Sequence, residues 1–289
     1  MIRKSAALMK DNEEEIKVFL QKKNKMLKRG MILFCILALL ALFVPLLSPW
    51  SCTDMNADIR NMSPNLQHFF GTDKFGRDLF VRTFYGARIS LLVGILSALI
   101  NGIFGICYGG FSGYSGKVVD ILLMRVADII SSIPSLLYVI LFTLVFGANE
   151  MSIILGLCIS GWIETARIVR GEVIRLKNRE FCIAAGLFGK GKLYIFFQHI
   201  LPNAAGPVMI NLTFLGPQAI FTEAFLSFMG VGISPPKASL GSLIQFSRSQ
   251  MQTYPYQMIF PTLILVLFIV SMNLIGEGLK NMEKVREEE

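Results

Sequence analysis

Long stretches of this chain carry no charge at all. Residues 30–48, 89–112, 129–146 and 256–275 contain no Asp, Glu, Lys or Arg. Stretches of about 18 apolar residues or more are long enough to cross a bilayer as helices. In lipid every backbone amide must find its partner inside the protein, so only helices or closed barrels span it. These stretches are continuous in Leu, Ile and Phe and lack the two-residue alternation of a barrel strand. The expected fold class is therefore an all-α polytopic membrane protein. Only 17% of the 289 residues are charged, against about 25% in soluble domains.

The predicted order is as follows. Residues 1–29 form a basic N-terminal segment, read either as a surface helix on Ile16, Phe19 and Leu20 or as a solvated tail. Residues 30–88 hold the first span, Gly30 to Ser48, and a polar loop. Within that loop Asp78 to Arg88 reads as a separate interfacial helix, with an Asp78–Arg82 pair at i,i+4 and His68 as an ordinary surface residue. Residues 89–280 form the core. Its second span, near 89–112, is rich in glycine, which lets helices approach closely. The third runs from Val118 to Phe146 and should kink at Pro134. The fourth starts at Met151 and continues as a protruding helix through Glu164, Arg167 and Arg170, with Glu164 and Arg167 paired at i,i+3. The fifth runs from Asn203 to Phe228, with breaks at Gly206-Pro207 and Gly216-Pro217. A loop with a short helix over 240–251 leads to the sixth span, Tyr256 to Ile275, and residues 281–289 form a tail.

Glu223 is ionisable yet flanked by apolar residues. It is either functional or a buried structural carboxylate paired to a neighbouring helix. Cys35, Cys107 and Cys158 lie in apolar runs and read as small buried hydrophobes. Neither they nor Cys52 and Cys182 have the spacing of a metal site or a disulfide framework.

With six spans both termini share one side. Placing that side inside puts 21 Lys and Arg there against 7 outside, the bias expected of cytoplasmic termini. The net charge of +8 is thereby a matter of orientation, and nucleic acid is not implied. The same bias places the basic, glycine-broken stretch Arg179–Asn203 in the cytoplasm. Gly186 to Lys192 nearly matches a phosphate-binding loop, but Leu193 stands where a Ser or Thr must reach Mg²⁺ and no strand precedes it. No nucleophile, metal or acid–base motif is present, so the chain is expected to be non-catalytic. From spacing alone, 179–203 is either two short helices joined at a glycine or a long basic connector.

Ala184-Ala185, Gly189 and Leu201-Pro202 resemble the EAA coupling loop between spans four and five of ABC-importer permeases. Ile183 stands where that pattern has Glu, with Glu180 nearby, and His199 where Ile is frequent. Gly71-Thr72-Asp73, Gly76-Arg77-Asp78, Met124 to Asp128, Glu223 to Phe228 and Gly276 to Leu279 extend the resemblance to the C-type permease subunit of peptide/nickel importers, over about residues 25–284. Leu240 replaces a Trp common in that family. The resemblance implies a multi-pass subunit of the bacterial cytoplasmic membrane that pairs with a second permease. Two cytoplasmic ATPase subunits would bind ATP and Mg²⁺, and an extracytoplasmic solute-binding protein would deliver cargo. This chain would hold no cofactor or metal of its own. The implied coupling residues are Glu180, Ala184, Ala185, Gly189, Leu201 and Pro202, with Pro134, Pro217 and Glu223 as structural or gating positions. Cargo would be oligopeptide or dipeptide, the alternative being nickel or a metal chelate. A reading of another class, an ion-coupled secondary transporter, predicts inverted repeats and several intramembrane carboxylates.

Overall fold

The computed structural model describes the backbone of residues 2–288 and the side chains of residues 25–283. The face expected on Ile16, Phe19 and Leu20 falls outside the described side chains. The helices are α1 (Ile2–Leu47), α2 (Leu79–Tyr114), α3 (Lys117–Ser131), α4 (Ser135–Phe146), α5 (Glu150–Ser160), α6 (Ile163–Leu176), α7 (Glu180–Leu187), α8 (Lys192–Ile195), α9 (Leu201–Asn203), α10 (Ala205–Phe228), α11 (Leu240–Ser247) and α12 (Tyr256–Glu288). Among the described residues no strand forms beyond an isolated bridge between Thr72 and Asp78. Four helical segments are long and apolar enough to cross a membrane, and six if each of two bent pairs counts as one span.

Helix α2 is the axle of the bundle. It touches α1, α3, α5, α6, α10, α11 and α12. Apolar burial gives little drive for association in lipid, so close backbone approach must supply the contact. A Cβ on Gly109 would sit 2.2 Å from the Ala166 carbonyl oxygen of α6. Gly109→Leu should therefore push α2 from α6, cost about 1–3 kcal/mol, and lower the melting temperature of the purified protein. An unchanged melting temperature would show that this approach is dispensable.

Several elements differ from the sequence-based expectation. The interfacial helix and the second span are one continuous helix, α2. Asp78 is its N-cap, accepting from the Val81 amide at 2.8 Å, so it does not pair with Arg82. Its other oxygen lies 2.8 Å from His68 Nδ1. His68 is buried, not a surface residue, and its ring packs on Trp50 at 4.7 Å between centroids. The loop before α2 folds around Asp73, which accepts from the amides of Phe75 and Arg77 at 2.8 and 3.0 Å and pairs with Arg77 Nε at 2.7 Å. Gly76 permits this turn at φ +72°. Gln257 of α12 closes the lock, donating to the Thr72 carbonyl at 3.0 Å.

Pro134 does separate α3 from α4, which meet at a bend of 70°. The expected breaks in the fifth span do not form. Pro207 sits in the first turn of α10, where a missing amide costs little, and Pro217 is accommodated inside the helix. The break lies instead at Ala204, with a bend of 75° between 192–203 and α10. Arg167 pairs with Asp128 rather than Glu164. Cys35 and Cys107 are exposed on the chain's surface rather than buried, and Cys158 is half-buried.

Helix α11 re-enters the bundle. Ser239 and Ser242 close its N-terminus with a reciprocal capping box, and Leu240 is fully buried between α1, α2 and α12. The segment before it is clamped to the α4–α5 turn by the Ser234 amide on the Ala148 carbonyl at 3.1 Å and by Lys237 on Glu150. The Glu150 carboxylate holds the Lys237 ammonium above its ordinary value of 10.5. This contribution is full below that value and is lost only as pH rises through the raised one.

Candidate coupling site

The site begins with α6, which carries the chain out of the bundle. Val169, Val173 and Leu176 line one face at helical spacing and meet Cys182, Ala185, Ile195, Phe196 and Ile200 in one cluster. That cluster fixes the whole stretch to α6 and to the start of α10, through Ala204 and Val208.

Helix α7 starts with Glu180 in its first turn, where a carboxylate suits the positive helix end. It stops at Gly189, whose φ of +77° is a left-handed conformation that glycine adopts without penalty. The Gly189 amide donates to the Gly186 carbonyl at 3.0 Å and the Lys190 amide to Ala185 at 3.1 Å. This is a Schellman stop. The chain then reverses into α8 and runs through a single π-turn, Phe196–Ile200, to α9. Of the two readings open for 179–203, two short helices rather than a long connector, the first is therefore present, with the glycine at its corner.

Of the residues singled out from the sequence, the structure brings Ala185 and Leu201 together in the cluster under α7. Ala184, Glu180 and Pro202 are exposed. Ala185 faces inward and packs this two-helix knob itself. Pro202 lies in the first turn of α9, and the segment ends after it, at Ala204. Pro134, Pro217 and Glu223 lie apart from this site: Pro134 at the α3–α4 break, the other two inside α10.

Composition and spacing did not single out the outer surface of the knob. Leu187 and Phe188 are each 84% exposed and Leu193 75%. Ile183, one turn before Leu187, is also exposed and lies on the same face of α7. The signal was available as Ile183 and Leu187 at i,i+4 in an otherwise basic stretch. Ion pairs tie the same unit to α3. Arg170 grips Asp120 through Nε and Nη2, at 2.5 and 2.6 Å, and Ser112 donates to the same carboxylate at 2.6 Å. Arg167 reaches Asp128 at 2.8 Å.

At the far end of α10, Glu223 is fully buried. Ser90 Oγ of α2 donates to Oε2 at 2.7 Å and Ser227 Oγ to Oε1 at 2.7 Å. The Ser239 hydroxyl that caps α11 lies near the same carboxyl group. The carboxyl group thus stands where three helices meet.

Comparison with known proteins accords with this geometry. Residues 105–282 match the model of the binding-protein-dependent transport system inner membrane component, and residues 22–64 that of the N-terminal TM domain of oligopeptide transport permease C. The chain is 39% identical to the oligopeptide transport system permease protein OppC of Bacillus subtilis, over 89% of this chain and 85% of that protein. It is 39% identical to the dipeptide transport system permease protein DppC of the same organism, over 90% and 82%. Among solved structures, a chain of the inward-facing MetNI methionine ABC transporter shares the fold, with TM-score 0.56 at 15% identity, over 71% of this chain and 95% of that one. A helical bundle with four to six candidate spans, the exposed two-helix knob and these matches lead to one conclusion: the chain belongs to the family of binding-protein-dependent transport system inner membrane components, the permeases of ABC transporters.

Proposed function

We propose that this chain is the permease subunit of an ATP-driven importer of oligopeptides or dipeptides, working beside a second, different permease. One span for each bent pair, with α10 as the crossing part of the second, gives six and puts both termini with the 180–203 knob on the cytoplasmic side. The Lys and Arg bias supports that orientation. Two ATPase subunits receive the knob, and a solute-binding protein delivers cargo at the opposite face. The chain itself is non-catalytic.

The observation that carries this reading is the exposed Ile183, Leu187 and Phe188 surface on a rigid corner. Apolar side chains held rigidly outside the bundle are suited to a groove in a partner. The peptide cargo rests on the names of the relatives. Movement of the knob would reach α10 through the cluster around Phe196 and Ala204, and α3 through Asp120–Arg170 and Asp128–Arg167. To switch the path fully between two states, ATP must favour one by about 5.5 kcal/mol.

Proteoliposomes holding the assembled transporter test the reading. A labelled tetrapeptide should accumulate only with ATP on the ATPase side and binding protein on the other. Accumulation by this chain alone, driven by an ion gradient, would replace the importer reading. Accumulation of a nickel chelate in place of peptide would reassign the cargo.

A further inference from the structure

A cavity of about 520 Å³ opens between the end of α2 and the coupling segment, within the size range of small-molecule sites. Cys107, Gly110, Phe111 and Tyr114 of α2 form one wall, and Leu193, Phe196 and Phe197 the other, with Lys192 beside them. The lining is almost wholly apolar, and the side chain at its edge is cationic.

The cavity continues a surface stripe. Ile100, Ile103, Phe104, Cys107 and Phe111 recur at helical spacing and are all exposed. The small residues of α2 that meet other helices point elsewhere, Gly94 toward Ile220 of α10 and Gly105 and Gly109 toward Thr165 and Ala166 of α6, while Gly110 meets Phe196 at the cavity. Helix partners in a membrane are met through small residues, whereas this stripe offers large aliphatic and aromatic ones, as a face toward acyl chains does. It ends where Lys192 stands, with Lys117 two residues beyond Ser115 of the cavity wall. Apolar depth with a basic rim at a membrane boundary matches an anionic lipid: chains along the stripe, phosphate at the lysine.

We propose that this cavity is a site for an anionic phospholipid of the leaflet that borders the coupling segment. The lipid would lie against α2, Leu193 and Phe197, over the buried contact of Phe196 with Gly110, so its occupancy would bear on the position of the knob. The choice of leaflet rests on the orientation proposed above; the site itself does not.

The test uses the assembled transporter in nanodiscs doped with phosphatidylglycerol or phosphatidylcholine, each bearing a photoactivatable acyl chain, with cross-linked peptides mapped by mass spectrometry. Phosphatidylglycerol should label residues 107–114 and 192–197 about fivefold more than phosphatidylcholine, the weight of one lysine at an anionic surface. Lys192→Gln should erase that preference, and Cys107→Trp should reduce labelling by both probes. Equal labelling by the two probes on the wild type would overturn the proposal. So would an absence of labelling by either probe at these residues, as expected if a neighbouring subunit covers the cavity. Labelling is read without transport, so its outcome is separate from cargo and from ATPase coupling.

Discussion

Phe188→Glu should lower ATP-driven uptake by about thirtyfold, the effect of losing one interface anchor, while the subunit still inserts and folds. The side chain is 84% exposed, and its removal leaves no cavity in this chain. Its backbone is held independently, by the amide of Phe188 on the Ala184 carbonyl and by the Schellman stop at Gly189. A glutamate there places charge where an apolar groove should close. ATP hydrolysis by the assembled complex should lose its response to loaded binding protein. Ala185→Asp makes the contrasting case. Ala185 is packed among Val173, Cys182 and Phe196, so a carboxylate there loosens the knob itself, and limited proteolysis should cut within 177–204. If both variants transport normally, the 180–203 segment is not the coupling element. If Phe188→Glu fails only because the protein no longer accumulates, the surface has a structural role.

Glu223→Ala should destabilise the bundle by about 1–3 kcal/mol. It strips the hydroxyls of Ser90 and Ser227 of their acceptor in a site with no exposure. The capping serine of α11 loses a nearby carboxyl group as well. The re-entrant helix should loosen first, because its N-terminus sits there, and hydrogen exchange over 239–247 should quicken. Glu223→Gln keeps volume and one acceptor oxygen and should retain most of the stability. Wild-type exchange in Glu223→Ala would mean that the capping box alone holds α11. Loss of transport in Glu223→Gln with unchanged exchange would favour the functional reading of this carboxyl group over the structural one.

The legible parts of the molecule were those governed by local rules. Uncharged length marked the helices, Pro134 marked a bend, and Gly189 marked a corner. What could not be read depends on contacts distant in sequence. Ser90 and Glu223 lie 133 positions apart, and nothing local joins them. Asp120 and Asp128 find Arg170 and Arg167 across the bundle, while the i,i+3 rule offered Glu164. Asp78 can serve either as a helix member or as a cap, and the buried His68 decides for the cap. Proline is ambiguous by position: Pro207 falls in a first turn and is harmless, while the bend appears at Ala204, where no proline stands. At the candidate site, two adjacent alanines have opposite roles because α7 turns by about 100° per residue. Ala184 faces outward and Ala185 inward.

Leu187→Cys, in an otherwise cysteine-free chain, tests the central claim most directly. In the assembled transporter, a short bifunctional thiol reagent should link this residue to an ATPase subunit carrying cysteines along its groove, with a yield that changes on adding ATP. An impermeant maleimide should reach it only after the cells are opened. Labelling by that maleimide in intact cells, or failure to cross-link to the ATPase in either nucleotide state, would contradict the account.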